Sequence, residues 1–473
     1  MAHVEVIGRT WVKPSKPTLQ ASLGKGHIPL SDWDVVMFKS YIPILLFYDN
    51  HPKTPDFMDP RKLRESLSSL LVDYFPLAGR LVDIGKGRDA IACNDAGILF
   101  QEAEYNDDLT RFKAGGYLPS QMDYHRMFPI HFYNGPEDPL VAVQHTRFRD
   151  GGVALGIMIL HKVADTYSGC LFLDAWAKHS RGIIYNMPLF DRDLVAAPIR
   201  NVEITDQVLE YYRQDHRCSD ENEHVLPIDP SQTKYARTAP GGPMPLKSVI
   251  LEFHADGLHR CKKDAHTYEM IQKKDWVSTK EALLATLLRA IVRARSGIQQ
   301  DEPVEMVVGV NGRPRMKNAK EMERYFGNWM VNRSVSLSKR QVTETDLAST
   351  AAAFRQEIHK VDASLFHGIS KLYTIHEDMT ANYLSYRPNS TTHVTASDVS
   401  MLPYWRLDFG YGRPDRTRGY ITFGGDGCLV LFGRSDEQKG PMYDVQVQMD
   451  VDSMKRFMQD PDVRKYSHRV LSG

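Results

Sequence analysis

Cysteine is scarce in this chain: its 473 residues hold five, Cys93, Cys170, Cys218, Cys261 and Cys428, and none belongs to a CxxC pair. An odd, dispersed set of this kind excludes a disulfide framework and a cysteine-built zinc cluster, and it fits a reducing, cytoplasmic compartment. Charge of one sign is also lacking, with 59 Lys+Arg against 59 Asp+Glu. That balance removes the electrostatic case for nucleic acid or an anionic membrane surface as partner. No stretch comes near the ~18 uninterrupted apolar residues that span a bilayer. The opening MAHVEVIGRTWVKPSKPT has no continuous apolar core of the signal-peptide kind. Two catalytic signatures are missing as well: no HExxH for a zinc hydrolase and no GxSxG elbow for a serine hydrolase. No short repeat points to a solenoid or propeller.

What is present reads as an ordinary globular protein, 42% hydrophobic, 25% charged and 10% aromatic. A chain this long outgrows one hydrophobic core, so two domains of roughly 200 residues are expected. The least core-like stretch, 214–246, is rich in charge, proline and glycine and reads as a crossover linker. It divides the chain into lobes at 1–213 and 247–473. Asp59-Pro60 marks a helix start, followed by Leu63, Leu67, Leu70 and Leu71 at helical spacing. Ser278-Thr279-Lys280-Glu281 has capping-box spacing ahead of a second leucine-rich helix. The segments 140–147, 152–160, 304–313, 428–434 and 443–451 read as strands, and 168–180 and 452–460 as helices. The class is α/β of the α+β type.

The segment His161-Lys162-Val163-Ala164-Asp165 follows a nearly continuous apolar strand, and a strand end is a rigid platform for a side chain that meets a substrate. Histidine accepts and returns a proton near neutral pH. The aspartate four residues on either orients the ring or anchors the turn. Alone, HxxxD is common, and a structural histidine is the blander reading. A metal role is weaker, because no further ligand stands at a suitable spacing. The second segment, Asp408-Phe409-Gly410-Tyr411-Gly412, has two glycines around an aromatic and alone reads as a tight turn.

Together, HKVAD (161–165) and DFGYG (408–412) resemble the BAHD acyltransferases, whose pattern is HxxxD mid-chain and DFGWG near the C-terminus. VKPSKPT (12–18), LSDWD (30–34), FPLAGRL (75–81), IACNDAGILFQEAE (91–104), VNGRPR (310–315) and YFGN (325–328) are similar too, in the family's order. The resemblance implies two chloramphenicol-acetyltransferase-like lobes with a channel between them. It also implies a monomer that takes acyl-CoA as co-substrate, needs no bound cofactor, and uses His161 as general base. Asp165 and Arg313 become a structural pair, and Asp408, Gly410 and Gly412 a structural loop.

For CoA, the capped helix start at Ser278, Thr279 and Lys280 is the candidate contact, since free N–H groups, hydroxyls and an ammonium suit phosphates. For the acceptor, the residues upstream of Asp408 are Ser397, Asp398 and Met401. Val399 and Met401 stand where many relatives have tryptophan and arginine, and Asp398 either recognises an amine or is a paired carboxylate. The expected activity moves a hydroxycinnamoyl or other aromatic or short acyl group from CoA to a hydroxyl or amine. The shikimate/quinate hydroxycinnamoyltransferases are the nearest look. Fungal O-acetyltransferases of the trichothecene type, amine N-acyltransferases and a catalytically silent binding protein are the alternatives. A carrier-protein condensation domain is disfavoured because Leu160 stands where such domains place a second histidine.

Overall fold

The computed structural model describes residues 3–19, 26–50, 54–132, 134–196, 202–217, 238–239, 242–243, 245–273, 276–380, 383–384, 391–419, 421, 426–436 and 440–472. Most of the expected linker, 218–237, lies outside them. Two large sheets organise the chain. The first has six strands in the order Val4–Val12, Ile98–Tyr105, Val141–Phe148, Val153–Leu160, Tyr41–Tyr48 and Arg416–Gly419. The second has seven, in the order Met330–Ser338, Pro303–Asn311, His393–Asp398, Cys428–Asp436, Gly440–Asp450, Leu246–Phe253 and Arg469–Leu471. Most pairs are antiparallel, but Ile98–Tyr105 runs parallel to Val141–Phe148, and His393–Asp398 runs parallel to both its neighbours. This is the mixed α/β class expected from the sequence.

Local signals explain the elements that frame the site. All eight residues of Val153–Leu160 are buried, which is why that strand lacks polar alternation. Asp59 caps Pro60–Leu70 by accepting from Arg61 N, with the proline at the first helical position where no donor is lost. Ser278 and Glu281 close the expected capping box on Thr279–Ala294, whose leucines fill the second core.

Sequence order and spatial order part company in three segments of the second half. The strand Arg416–Gly419, late in the chain, pairs with Tyr41–Tyr48 in the first sheet. Residues 310–331 and 361–379 likewise contribute Trp329, Phe366 and Tyr373 to the first apolar cluster, where Trp33 packs against all three. The two halves are therefore joined by core as well as by chain.

Candidate active site

His161 sits where the buried strand Val153–Leu160 leaves the first sheet, and its N–H donates to Ser40 O at 2.8 Å. The turn that follows ends at Asp165, which caps the helix Thr166–His179 by accepting from Ser168 N at 2.8 Å. The same carboxylate takes Arg313 in a fork, Nη1 to Oδ2 at 2.7 Å and Nη2 to Oδ1 at 3.2 Å, and accepts Trp329 N at 3.1 Å. Arg313 also donates to Ser168 Oγ and Gly327 O. Both ends of the pair are buried. Burial alone would raise the Asp165 pKa; the Arg313 charge and the surrounding donors prevail and hold it below the usual carboxylate value. The structure thus brings Asp165 and Arg313 together, turned toward each other and not toward the imidazole.

The imidazole has a different partner. Its Nδ1 lies 3.2 Å from Asn328 Oδ1. Asn328 Nδ2 donates to Asp34 Oδ1 at 2.9 Å and to His161 O at 2.8 Å, and Asn328 N donates to Asp34 Oδ1 at 2.8 Å. Those two acceptors leave only one sensible orientation for the amide, with its oxygen facing the ring. Nδ1 must then carry the proton, and Nε2 keeps its lone pair. Nε2 has no hydrogen-bond partner among the described residues. Asp34 is itself fully buried, closes a capping box with Ser31, and has Arg192 Nε 3.2 Å from Oδ2. Burial pushes the His161 pKa below the ordinary histidine value, against smaller opposing effects of its own carbonyl, Asp165 and Asn328. The ring is neutral at neutral pH and can accept a proton at Nε2.

Next to it, Lys162 is buried, donates to Val35 O at 2.7 Å and pairs with Asp89 at 3.0 Å. It ties the turn to the segment that carries Asp34. Neither Asp34 nor Asn328 stood out as chemistry in the sequence, although both lie in segments, LSDWD and YFGN, that carry the resemblance.

The loop 408–412 packs on the same helix from its other end. Asp408 Oδ1 accepts Gly410 N, Tyr411 N and Gly412 N at 2.7, 3.0 and 2.9 Å, and Oδ2 lies 3.3 Å from Arg181 Nη1. Gly410 and Gly412 have φ of 101° and 96°, left-handed values that a side chain resists. Phe409 packs against Trp176 and Tyr48. Tyr404 OH donates to Thr166 O, so the segment before the loop also touches the start of the helix.

The residues expected to contact CoA and the acceptor meet one another. Lys280 Nζ lies 2.8 Å from Asp398 Oδ2, and Asp398 Oδ1 accepts Ser400 N at 3.0 Å. Ser278 is exposed and its hydroxyl is engaged as the helix cap, while Thr279 is half-buried. Ser397 is exposed, and Met401 more so at 74%. Among the described residues no hydrogen bond or ion pair links any of these to His161, and no group of three His, Cys, Asp or Glu side chains could hold a metal.

A partly exposed histidine thus stands beside a buried ion pair on a two-sheet α/β scaffold. The chain belongs to the Transferase family, the BAHD acyltransferases, whose profile matches residues 2–463 and whose members use acyl-CoA as co-substrate. Hydroxycinnamoyl-CoA:5-hydroxyanthranilate N-hydroxycinnamoyltransferase HHT1 of Avena sativa is 28% identical over 80% of this chain and 83% of its own length. Shikimate O-hydroxycinnamoyltransferase of Nicotiana tabacum is 25% identical over 96% and 98%. The fold matches the crystal structure of F. sporotrichioides TRI101 complexed with coenzyme A and T-2, at 16% identity and a TM-score of 0.76, over 94% of this chain and all of that one. The protein is an acyltransferase.

Proposed function

We propose that this enzyme transfers a hydroxycinnamoyl-type aromatic acyl group from CoA to a hydroxyl or amine of a small metabolite, with His161 Nε2 as the general base. The observation that carries the base is the chain Asp34–Asn328–His161, which fixes the tautomer and leaves Nε2 unprotonated. The donor class rests on the relatives, which are named for hydroxycinnamoyl transfer to oxygen in one case and nitrogen in the other.

In this reading Nε2 takes the proton of the acceptor hydroxyl or amine as that group attacks the thioester carbonyl. The tetrahedral oxyanion collapses, the C–S bond breaks, and the CoA thiolate recovers the proton from the imidazolium. No acyl-enzyme forms, because one site holds both substrates and proximity supplies much of the rate. Asp165 and Arg313 hold the turn, Asp408 with Gly410 and Gly412 holds the loop, and neither group touches the reacting atoms. Lys280, with Ser278 and Thr279, meets CoA phosphates, while Ser397, Asp398 and Met401 face the acceptor. The lobes 1–213 and 247–473, joined by 214–246, act as a cytoplasmic monomer.

A donor panel of acetyl-, malonyl-, benzoyl- and p-coumaroyl-CoA against a metabolite extract, read by thiol release and product mass, tests this. Preferred turnover of p-coumaroyl-CoA is expected. Preference for acetyl- or malonyl-CoA would overturn the aromatic donor, and absence of CoA release with every donor would overturn the activity.

A further inference from the structure

A cleft of about 170 Å³ opens where the two sheets meet. One wall is the strand Arg416–Gly419, hydrogen-bonded into the first sheet; the other is formed by Cys428–Asp436 and Gly440–Asp450 of the second. It lies far from His161. Arg416 pairs with Phe47, whereas His161 N reaches Ser40 O beside the opposite end of the strand Tyr41–Tyr48. At about 3.3 Å per residue that separation is about 20 Å.

Three guanidinium groups line the cleft: those of Arg413, Arg416 and Arg434. Two carboxylates, Asp415 and Asp444, line it as well, but Asp444 is already met from behind by Arg418 Nη1 at 2.7 Å. Glu252, also behind the wall, is met by Arg469 Nε at 3.1 Å. The lining arginines are therefore in excess, in a protein whose formal net charge is zero.

Their N–H groups are in excess too. Arg416 stands 3.7 Å from its nearest oxygens of Asp415, Asp444 and Glu252, beyond hydrogen-bond reach, and its one hydrogen bond among the described residues is Nη1 to Asp415 O. Arg434 gives Nε to Asp444 and holds Nη2 3.6 Å from Glu252 Oε1, beyond hydrogen-bond reach, so neither Nη group makes a hydrogen bond among the described residues. Arg413 has neither ion pair nor hydrogen bond there; it is held over the Trp405 ring at 5.3 Å, beside Arg406 at 4.5 Å. Such forks match the paired oxygens of an oxyanion.

We propose that this cleft is a second ligand site, separate from the transfer site, that takes a small phosphate monoester with its phosphate among Arg413, Arg416 and Arg434. A cleft of this volume holds several water molecules, enough for a phosphate with a small organic body. Because the arginines come from both sheets, the ligand ties the two halves of the enzyme together.

Calorimetric titration of the full chain with inorganic phosphate, at ionic strength held constant with chloride, tests the site. Saturable one-to-one uptake is expected, at least tenfold weaker in Arg416→Gln and in Arg413→Gln. The second variant removes an exposed, unpaired side chain and leaves the fold intact. Prior saturation with CoA should leave phosphate uptake unchanged. Absence of saturable uptake, equal uptake by both variants, or loss of uptake when CoA is bound would each overturn the proposal, the last by assigning the phosphate to the co-substrate's own site.

Discussion

The turn at 161–165 and the loop at 408–412 each carry one aspartate, and each meets the helix Thr166–His179, one at its start and the other through Arg181 just past its end. Their aspartates do different work. Asp165 reaches across the chain to Arg313 and Trp329 and is buried with them. Asp408 accepts three N–H groups from its own loop and leaves a side chain partly open to water. Only the first region also projects a neutral histidine. One motif therefore supports the proposed base through a buried charge pair, and the other closes a loop.

Substitutions should separate the two regions. His161→Ala should lower kcat by about 10²- to 10⁴-fold with an unchanged melting temperature; wild-type turnover by the folded variant would remove the base from the mechanism. Asp165→Ala strands the buried Arg313 charge and should cost about 3–5 kcal/mol of stability, seen as a lower denaturant midpoint. If turnover fell with no loss of stability, Asp165 would act on the chemistry directly. Asn328→Ala should lower kcat/KM roughly tenfold, the worth of one oriented hydrogen bond in the transition state, and change the acid side of the pH profile. An unaltered profile would mean that the ring needs no help from Asn328. Asp408→Ala should cost about 1–2 kcal/mol while kcat stays near wild type; a rate loss larger than the stability loss would erase the contrast between the regions.

Local chemistry was legible in the sequence. The capping box at Ser278 and Glu281, the Asp59-Pro60 start and the buried strand before His161 are all written within a few residues, because caps and pleats depend on neighbours. The resemblance added the pairing of Asp165 with Arg313, which no spacing could have supplied across 148 positions. What stayed hidden was long-range. Asp34 and Asn328 are 294 positions apart, and nothing local distinguishes them from a helix cap and a loop amide. The return of Arg416–Gly419 to the first sheet was equally unreadable, since a four-residue edge strand carries no address. The Lys280–Asp398 pair joins two residues that had been assigned to opposite substrates. Each came from its own local pattern, a helix start and a strand end, and neither pattern reports the other.

The central claim is that the neutral Nε2 of His161 takes the proton. The pH dependence of kcat/KM tests it most directly. A base works only when unprotonated, and burial lowers the pKa of this one, so activity should hold through neutral pH and fall only on the acid side. A single acid limb is expected, with its midpoint below the ordinary histidine value of about 6.5, and it should be absent from the residual activity of His161→Ala. A midpoint at or above that value, or the same limb persisting in His161→Ala, would contradict it.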